Sequence, residues 1–144
     1  MILETELIIR LVVAAVLGSL IGLEREWHDK PAGLRTHILV CVGAAVFTVA
    51  ALGIGKETEI ARIAAGVVTG IGFLGAGTIF REKERVRGLT TAADLWVLAA
   101  IGLAVGIGYY VLAAISTALM LIILILGGKI DRYIRAKQGE NYQD

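Results

Sequence analysis

Charged and aromatic side chains are scarce in this chain. Of its 144 residues, 19% are charged and 6% are aromatic, while 57% are hydrophobic. Soluble domains carry about 25% charged residues, so this composition excludes an ordinary soluble protein. The single cysteine, Cys41, excludes an intramolecular disulfide, and two histidines without a second cysteine do not provide the spacing of a zinc site. We therefore expect an integral membrane protein.

Five long apolar runs follow one another along the sequence. They cover residues 7–23, 36–54, 63–80, 92–108 and 109–128, and the charged residues within them are Arg10 and Asp94. A helix rises about 1.5 Å per residue, so each run is just long enough to cross a hydrocarbon core of about 30 Å. The sequence predicts an all-α bundle of five transmembrane helices over residues 1–128 and a short charged cytoplasmic tail over residues 129–144.

Basic residues are unevenly distributed among the connections. Residues 24–35, 81–91 and 129–144 together contain eleven, whereas residues 55–62 contain two. Basic connections favour the cytoplasm, so we expect the N-terminus outside and the C-terminus inside. Glu4 and Glu6 precede the first run where a signal peptide carries basic residues, so we expect a retained helix. The side chain of Arg10 is expected to extend to the outer interface.

A glycine pattern in the third run has two interpretations. Gly70-x-Gly72-x-x-Gly75 matches the dinucleotide fingerprint, but that fingerprint requires a strand before the glycines, and here they lie inside an apolar span. Glycines also let membrane helices pack closely. We predict that the third helix is central and packs against glycines of the first and fourth helices. The packing set is Gly18, Gly22, Gly66, Gly70, Gly72, Gly75, Gly77, Gly102 and Gly106. A role in exposing carbonyls along a pathway stays open.

Polar residues collect at the predicted inner ends of the spans. This polar collar consists of Glu24, Arg25, Glu26, Arg35, His37, Arg81, Arg87, Thr90, Thr91 and Asp94. Charges near a membrane core tend to pair. We therefore expect Glu24 and Asp94 to face one or more of four arginines, which are Arg25, Arg35, Arg81 and Arg87. Anchoring and pairing alone would also explain the collar.

Asp94 has two further interpretations. Thr91-x-x-Asp94 fits a capping box, in which Thr91 caps the fourth helix and Asp94 reaches back. Alternatively, Asp94 and Glu24 lie at one depth and bind a hydrated divalent ion, since Mg²⁺ prefers few carboxylates and retains water. No other metal site or cofactor is expected.

Several motifs in order resemble the MgtC/SapB family of bacterial inner-membrane proteins. They are residues 21–26 (IGLERE), 32–37 (AGLRTH), 62–65 (RIAA) with the glycine-rich span to Arg81, and 86–96 (VRGLTTAAxLW), in which Asp94 at position x departs from the family pattern. The resemblance implies a five-helix membrane domain with a cytoplasmic C-terminus. Members are associated with growth in low magnesium, and some act by restraining the membrane ATP synthase. Longer members continue into a cytoplasmic domain similar to ACT domains, so roles that need that domain are not expected here.

Two functions follow as expectations. The first is a regulatory protein of the bacterial inner membrane that supports magnesium homeostasis by acting on partner complexes such as the ATP synthase. The alternative is a transporter or channel for magnesium. The chain has no recognisable catalytic set, so we expect no enzyme, and it has no nucleic-acid patch. We expect contact with the lipid bilayer and a homodimer, because a small glycine-rich bundle exposes packing faces.

Overall fold

Five long helices build the protein. The computed structural model describes residues 4–54, 57–82 and 85–137. The helices are α1 (Glu4–Trp27), α2 (Leu34–Ile54), α3 (Glu57–Thr78), α4 (Leu89–Ile107) and α5 (Tyr110–Lys137). All five are long and apolar enough to cross a membrane, so the predicted all-α fold is confirmed and the chain is a multi-pass membrane protein. Of the predicted tail, residues 129–137 continue α5, and residues 138–144 lie outside the described part.

The connection between α3 and α4 is a small hairpin that the sequence analysis did not predict. Strand β1 (Phe80–Glu82) pairs antiparallel with β2 (Arg85–Arg87), and Phe80 lies opposite Arg87. Gly88 then turns the chain into α4 with a φ of 85°. A Cβ there would lie 1.8 Å from the carbonyl oxygen of Thr78, so only glycine fits this turn.

The turn between α4 and α5 has a compact geometry. Gly108 has a φ of 101°, and its N–H donates to the carbonyls of Ala104 and Val105. The N–H of Tyr109 donates to the carbonyl of Ala104 at 2.8 Å. This pattern is a Schellman motif, which satisfies carbonyls that the end of a helix would leave without donors. It allows α5 to return directly alongside α4.

The central helix of the bundle is α4, so the prediction that the third helix is central was wrong. In the most apolar 18-residue stretch of α4, 56% of the residues are buried within the protein, compared with 11% in the corresponding stretch of α3. Leu95, Leu98, Ile101 and Val105 of α4 are almost completely buried. Glycine removes side-chain bulk from a helix, but that does not determine whether another helix covers the bare face.

Four of the predicted packing glycines do bring helices together, but around α2 instead of α3. A Cβ on Gly18 or Gly22 of α1 would lie within 2.9 Å of α2 backbone atoms. A Cβ on Gly102 of α4 would lie 2.4 Å from the carbonyl oxygen of Cys41, and one on Gly106 would lie 2.5 Å from Cβ of Thr48. The α2 helix is therefore held closely between α1 and α4.

Most of the glycines that were predicted to pack α3 against other helices make no such contact in the described chain. Gly75 makes an ordinary contact with Ala92 of α4. A Cβ on Gly66, Gly70, Gly72 or Gly77 would meet no atom of the described chain within 4 Å. These four glycines are exposed, and they do not pack against the described helices of their own chain.

Arg10 is buried within the bundle, and its side chain lies at the end of the bundle where α4 ends. Its exposed fraction is 6%. One guanidinium nitrogen donates to the carbonyl of Gly106 at 2.5 Å, and another pairs with the carboxylate of Glu6. The carbonyls in the last turn of α4 carry partial negative charge, which favours a cation there. Arg10 thus joins α1 to the C-terminal end of α4.

We expect Gly102→Ala to lower the free energy of unfolding by about 1–3 kcal/mol, because the added methyl group must push α4 away from α2. The matched control is Gly43→Ala in α2, which adds the same methyl group where no atom of the described chain lies within 4 Å. Alanine is also the better helix former, so this control should be neutral or slightly stabilising. Unfolding of both variants in detergent micelles checks the prediction, and equal losses would contradict it.

Replacing Arg10 by methionine should lower the free energy of unfolding by about 1.5–3 kcal/mol, because the Gly106 carbonyl loses a charged donor. Arg62→Met is the control, since Arg62 is 77% exposed and its pair with Glu59 lies at the surface. Chemical denaturation followed by tryptophan fluorescence measures both. The assignment of a structural role to Arg10 would fail if the two variants unfolded at the same midpoint.

Candidate functional site

Three ionisable side chains from three helices meet inside one end of the bundle. Arg25 lies in the last turn of α1, His37 in the first turn of α2, and Asp94 in the second turn of α4. Their exposed fractions are 4%, 0% and 3%. With Glu24, which contacts Arg25, they form what we call the buried cluster. Ionisable groups in such positions within membrane proteins mark functional sites by default.

Arg25 lies between two carboxylates. Its Nε is 2.5 Å from Oε2 of Glu24, and its Nη1 is 3.6 Å from Oδ2 of Asp94. The expected pairing of both carboxylates with an arginine is therefore observed, and Arg25 is the arginine that both of them contact. Its planar guanidinium can serve two anions at once, which a lysine ammonium does less well.

His37 is the second partner of Asp94. Its Nδ1 is 2.9 Å from the carbonyl oxygen of Gly33, and its Nε2 is 3.4 Å from Oδ1 of Asp94. The contacts to Asp94 are ion pairs by distance but do not have hydrogen-bond geometry, so Nε2 and both Asp94 oxygens lack a hydrogen-bond partner among the described residues. The sequence analysis placed His37 in the collar but did not identify it as a partner of Asp94. The sequence feature that could have indicated this contact is that both residues lie within two turns of helix ends that are predicted at the same end of the bundle.

The capping box predicted for α4 was wrong. The N-cap residue is Gly88, and no side chain caps the helix. The N–H of Ala92 instead donates to the Gly88 carbonyl at 2.9 Å. Thr91 is buried at 2% exposure, and Asp94 points to Arg25 and His37. The left-handed turn at Gly88 starts α4 one residue before Thr90, so Thr91 already lies inside the helix.

The other collar residues do not join the buried cluster. The carboxylate of Glu26 accepts a hydrogen bond from the N–H of Leu34 at 2.9 Å, so it caps α2. Arg87 pairs with Glu82 across the hairpin at 3.1 Å. Arg35, Arg81 and Thr90 are exposed. Apart from Thr91, which is buried inside α4, the collar therefore divides into the buried cluster and a surface set.

His28 connects the buried cluster to the surface. Its Nδ1 lies 2.8 Å from the backbone carbonyl oxygen of Glu24 and 3.2 Å from Oε1 of the same residue. The side chain of His28 is 44% exposed, whereas that of Glu24 is 10% exposed. Contacts of 3.6 Å or less thus run from the exposed His28 through Glu24, Arg25 and Asp94 to His37.

Glu24 and Asp94 are the residues that would hold a divalent ion at this site. Among the residues that the structure describes, no group of three His, Cys, Asp or Glu side chains could hold a metal. The cation that lies between the two carboxylates in this fold is Arg25. An ion that bound both would have to displace the guanidinium, so the geometry offers weak support for the predicted Mg²⁺ site.

Comparisons with known proteins agree with the motifs in the sequence. The model of the MgtC family matches residues 11–133. The protein named "Protein MgtC" of Salmonella typhimurium is 49% identical over 119 residues, which are 83% of this chain and 51% of that protein. "Putative magnesium transporter YhiD" of Escherichia coli is 44% identical over 127 residues, which are 83% of this chain and 59% of that protein. The chain spans about half the length of the curated relatives it matches. No solved structure matches it.

Removing Arg25 should be strongly destabilising. Arg25→Met leaves the carboxylates of Glu24 and Asp94 without their shared cation, and such a loss costs about 3–5 kcal/mol. Adding Asp94→Asn to Arg25→Met should restore part of this stability, because it removes one of the two unpaired charges. Arg35→Met, on the exposed face of the same end, should change little. Unfolding of these three variants and of Asp94→Asn alone in micelles measures the coupling, and strictly additive losses would contradict it.

Proposed function

The chain belongs to the MgtC family, and we propose on that basis that it supports magnesium homeostasis in the bacterial inner membrane by regulating partner membrane complexes. The observation that carries the proposal is the position of Arg25 between Glu24 and Asp94. A cation-conducting site needs carboxylates that are free to bind the ion, whereas these two already share the guanidinium of Arg25.

The distribution of charge along the helices also supports regulation over transport. Residues 38–54, 63–78 and 95–107 contain no charged side chain. Transport pathways commonly place ionisable groups or broken helices near mid-membrane depth. Here α2, α3 and α4 are continuous helices, and their ionisable groups lie near their ends.

The end of the bundle that holds the buried cluster is the face that we assign to partners. We infer that it faces the cytoplasm, since the basic connections 24–35 and 81–91 lie there. Arg35 on α2 and Arg81 on the hairpin are exposed at this end. Such cations suit an acidic surface of a membrane complex, and the ATP synthase is our candidate. We also infer a homodimer, with the glycine faces of α3 available for helix packing.

Transport of magnesium is the second candidate function. One argument for it is that the Escherichia coli relative is named as a putative magnesium transporter. The other is the burial of Asp94, since carboxylates within a membrane often line ion pathways. This function requires Arg25 to leave the space between Glu24 and Asp94 during transport.

Magnesium uptake by the purified chain in liposomes separates the two functions. We expect no more flux than in empty liposomes, with a known magnesium channel as positive control. The regulatory proposal would be overturned in favour of transport if the chain carried magnesium, Asp94→Asn abolished the flux, and Arg35→Met did not change it.

Regulation of the ATP synthase predicts an effect on ATP-driven proton pumping in inverted membrane vesicles. Vesicles that contain the chain should pump less than vesicles without it, and Arg81→Glu should restore pumping because it reverses a charge on the partner face. Arg62→Glu is the control, since it reverses an exposed charge at the start of α3, at the other end of the bundle. Pumping that is the same with and without the chain would exclude this partner.

A further inference from the structure

Four helices surround α4 but do not enclose it. Each of them packs against α4, while α1 also packs against α2 and α5, and α2 packs against α3. The order around α4 is therefore α5, α1, α2 and α3. Among the described residues, α3 and α5 scarcely contact each other. The ring is open between these two helices, and we call this opening the lateral cleft.

The floor of the lateral cleft is one stripe of α4. Leu89 and Trp96 are 58% and 53% exposed, and Ala93 and Ala100 are also exposed. The four residues are spaced four, three and four positions apart, so they share one face of the helix. The other faces of α4 carry its many buried residues and are covered by the surrounding helices. The exposed stripe is therefore the part of this central helix that the opening between α3 and α5 leaves uncovered.

One mouth of the lateral cleft lies between the β-hairpin and the end of α5. The hairpin directly precedes α4, and the turn at Gly108 makes α5 antiparallel to α4. Gly127 follows Gly108 by as many residues as Leu89 precedes it, so Gly127 and Leu89 lie at about the same level. The remaining residues of α5, 128–137, therefore continue past the start of α4 to the level of the hairpin.

Both segments at this mouth are basic. Residues 81–87 contain four basic and two acidic residues, and residues 129–137 contain four basic residues and one acidic residue. The side chains of Lys129 and Arg132 are exposed. The opposite mouth differs, because the turn between α4 and α5 has no charged residue and residues 56–62 contain two basic and two acidic residues. The lateral cleft thus joins an apolar floor to a positive mouth at one end only.

We propose that the lateral cleft binds an anionic phospholipid, with its acyl chains along the exposed stripe of α4 and its phosphate group between the hairpin and the end of α5. Such a lipid matches the cleft at both levels, since its chains are apolar and its headgroup is negative. Basic pockets between membrane helices are suited to anionic headgroups. A second copy in the same orientation fits less well, because it would bring a second set of basic residues against the first. This inference does not depend on the proposed function.

Tryptophan fluorescence tests the site, because the sequence contains only Trp27 and Trp96. Trp96 lies on the floor of the cleft, whereas Trp27 is 87% exposed at the end of α1. Trp27→Phe leaves Trp96 as the reporter of the cleft, and Trp96→Phe leaves Trp27 as the reporter of ordinary lipid at the same end of the bundle. Each variant is placed in mixed liposomes in which either phosphatidylglycerol or phosphatidylcholine carries brominated chains, which quench tryptophan on contact.

We expect phosphatidylglycerol to bind at Trp96 about three to five times more strongly than phosphatidylcholine, since each nearby basic residue favours anionic lipid by up to about fivefold. At Trp27 the preference should be weaker. Replacing both Lys129 and Arg132 by glutamine in the Trp27→Phe protein should lower the preference at Trp96 to that at Trp27. Arg62→Gln is the matched control, because it removes an exposed charge at the other end of the bundle and should change nothing.

Three results would overturn the proposal. An equal preference at both tryptophans would show ordinary contact with the bilayer, and weak quenching of Trp96 by both lipids would show that a second copy or another helix covers the cleft. A preference at Trp96 that survives the double substitution would contradict the role of the basic mouth. If the double variant fails to fold, the Trp27→Phe protein decides the question in about 1 M salt, where screening should weaken the preference and an unchanged preference would overturn the proposal.

Discussion

Close contact between helix backbones is the constraint on which the rest of this structure depends. Lipid provides little hydrophobic drive for helices to associate, so packing contacts hold the bundle together. At Gly22, Gly102 and Gly106 a methyl group would lie 2.4 to 2.8 Å from atoms of α2. This spacing sets where α1 and α4 lie on α2. It thereby places Asp94 within ion-pair distance of two side chains that belong to different helices.

The two ends of the bundle use that closeness in different ways. At one end, Arg10 binds the carbonyl of Gly106 and the carboxylate of Glu6, so a single cation satisfies a helix terminus and an anion. At the other end, Arg25 contacts the carboxylates of both Glu24 and Asp94, and the second oxygen of Asp94 faces His37. At the second end, three buried polar atoms of His37 and Asp94 lack a hydrogen-bond partner among the described residues, which makes this end the better candidate for a response to the surroundings.

Sequence reasoning predicted the features that depend on one helix at a time. Run length and composition were sufficient for the five spans. Helix-end positions were sufficient to place Glu24 and Asp94 near a set of four arginines, of which Arg25 is the one that both contact. The features that failed depend on how helices are rotated relative to one another. The glycines of α3 show that the sequence predicts which face of a helix lacks side chains, but not which helix packs against that face. The contact between His37 and Asp94 likewise depends on how α2 is rotated relative to α4. The residue pattern of one helix does not determine that rotation.

The arrangement of the buried cluster also limits what any function of this chain can be. An ion that reached Asp94 would have to move Arg25, and moving Arg25 would leave Glu24 without its partner. A partner that pulled α4 from α2 would separate Asp94 from His37 and leave the carboxylate with Arg25 alone. Because the same carboxylate takes part in both contacts, ion binding and partner binding at this end would be coupled through Asp94. Regulation and transport therefore differ in which ligand moves the helices, and both must act on the same three side chains.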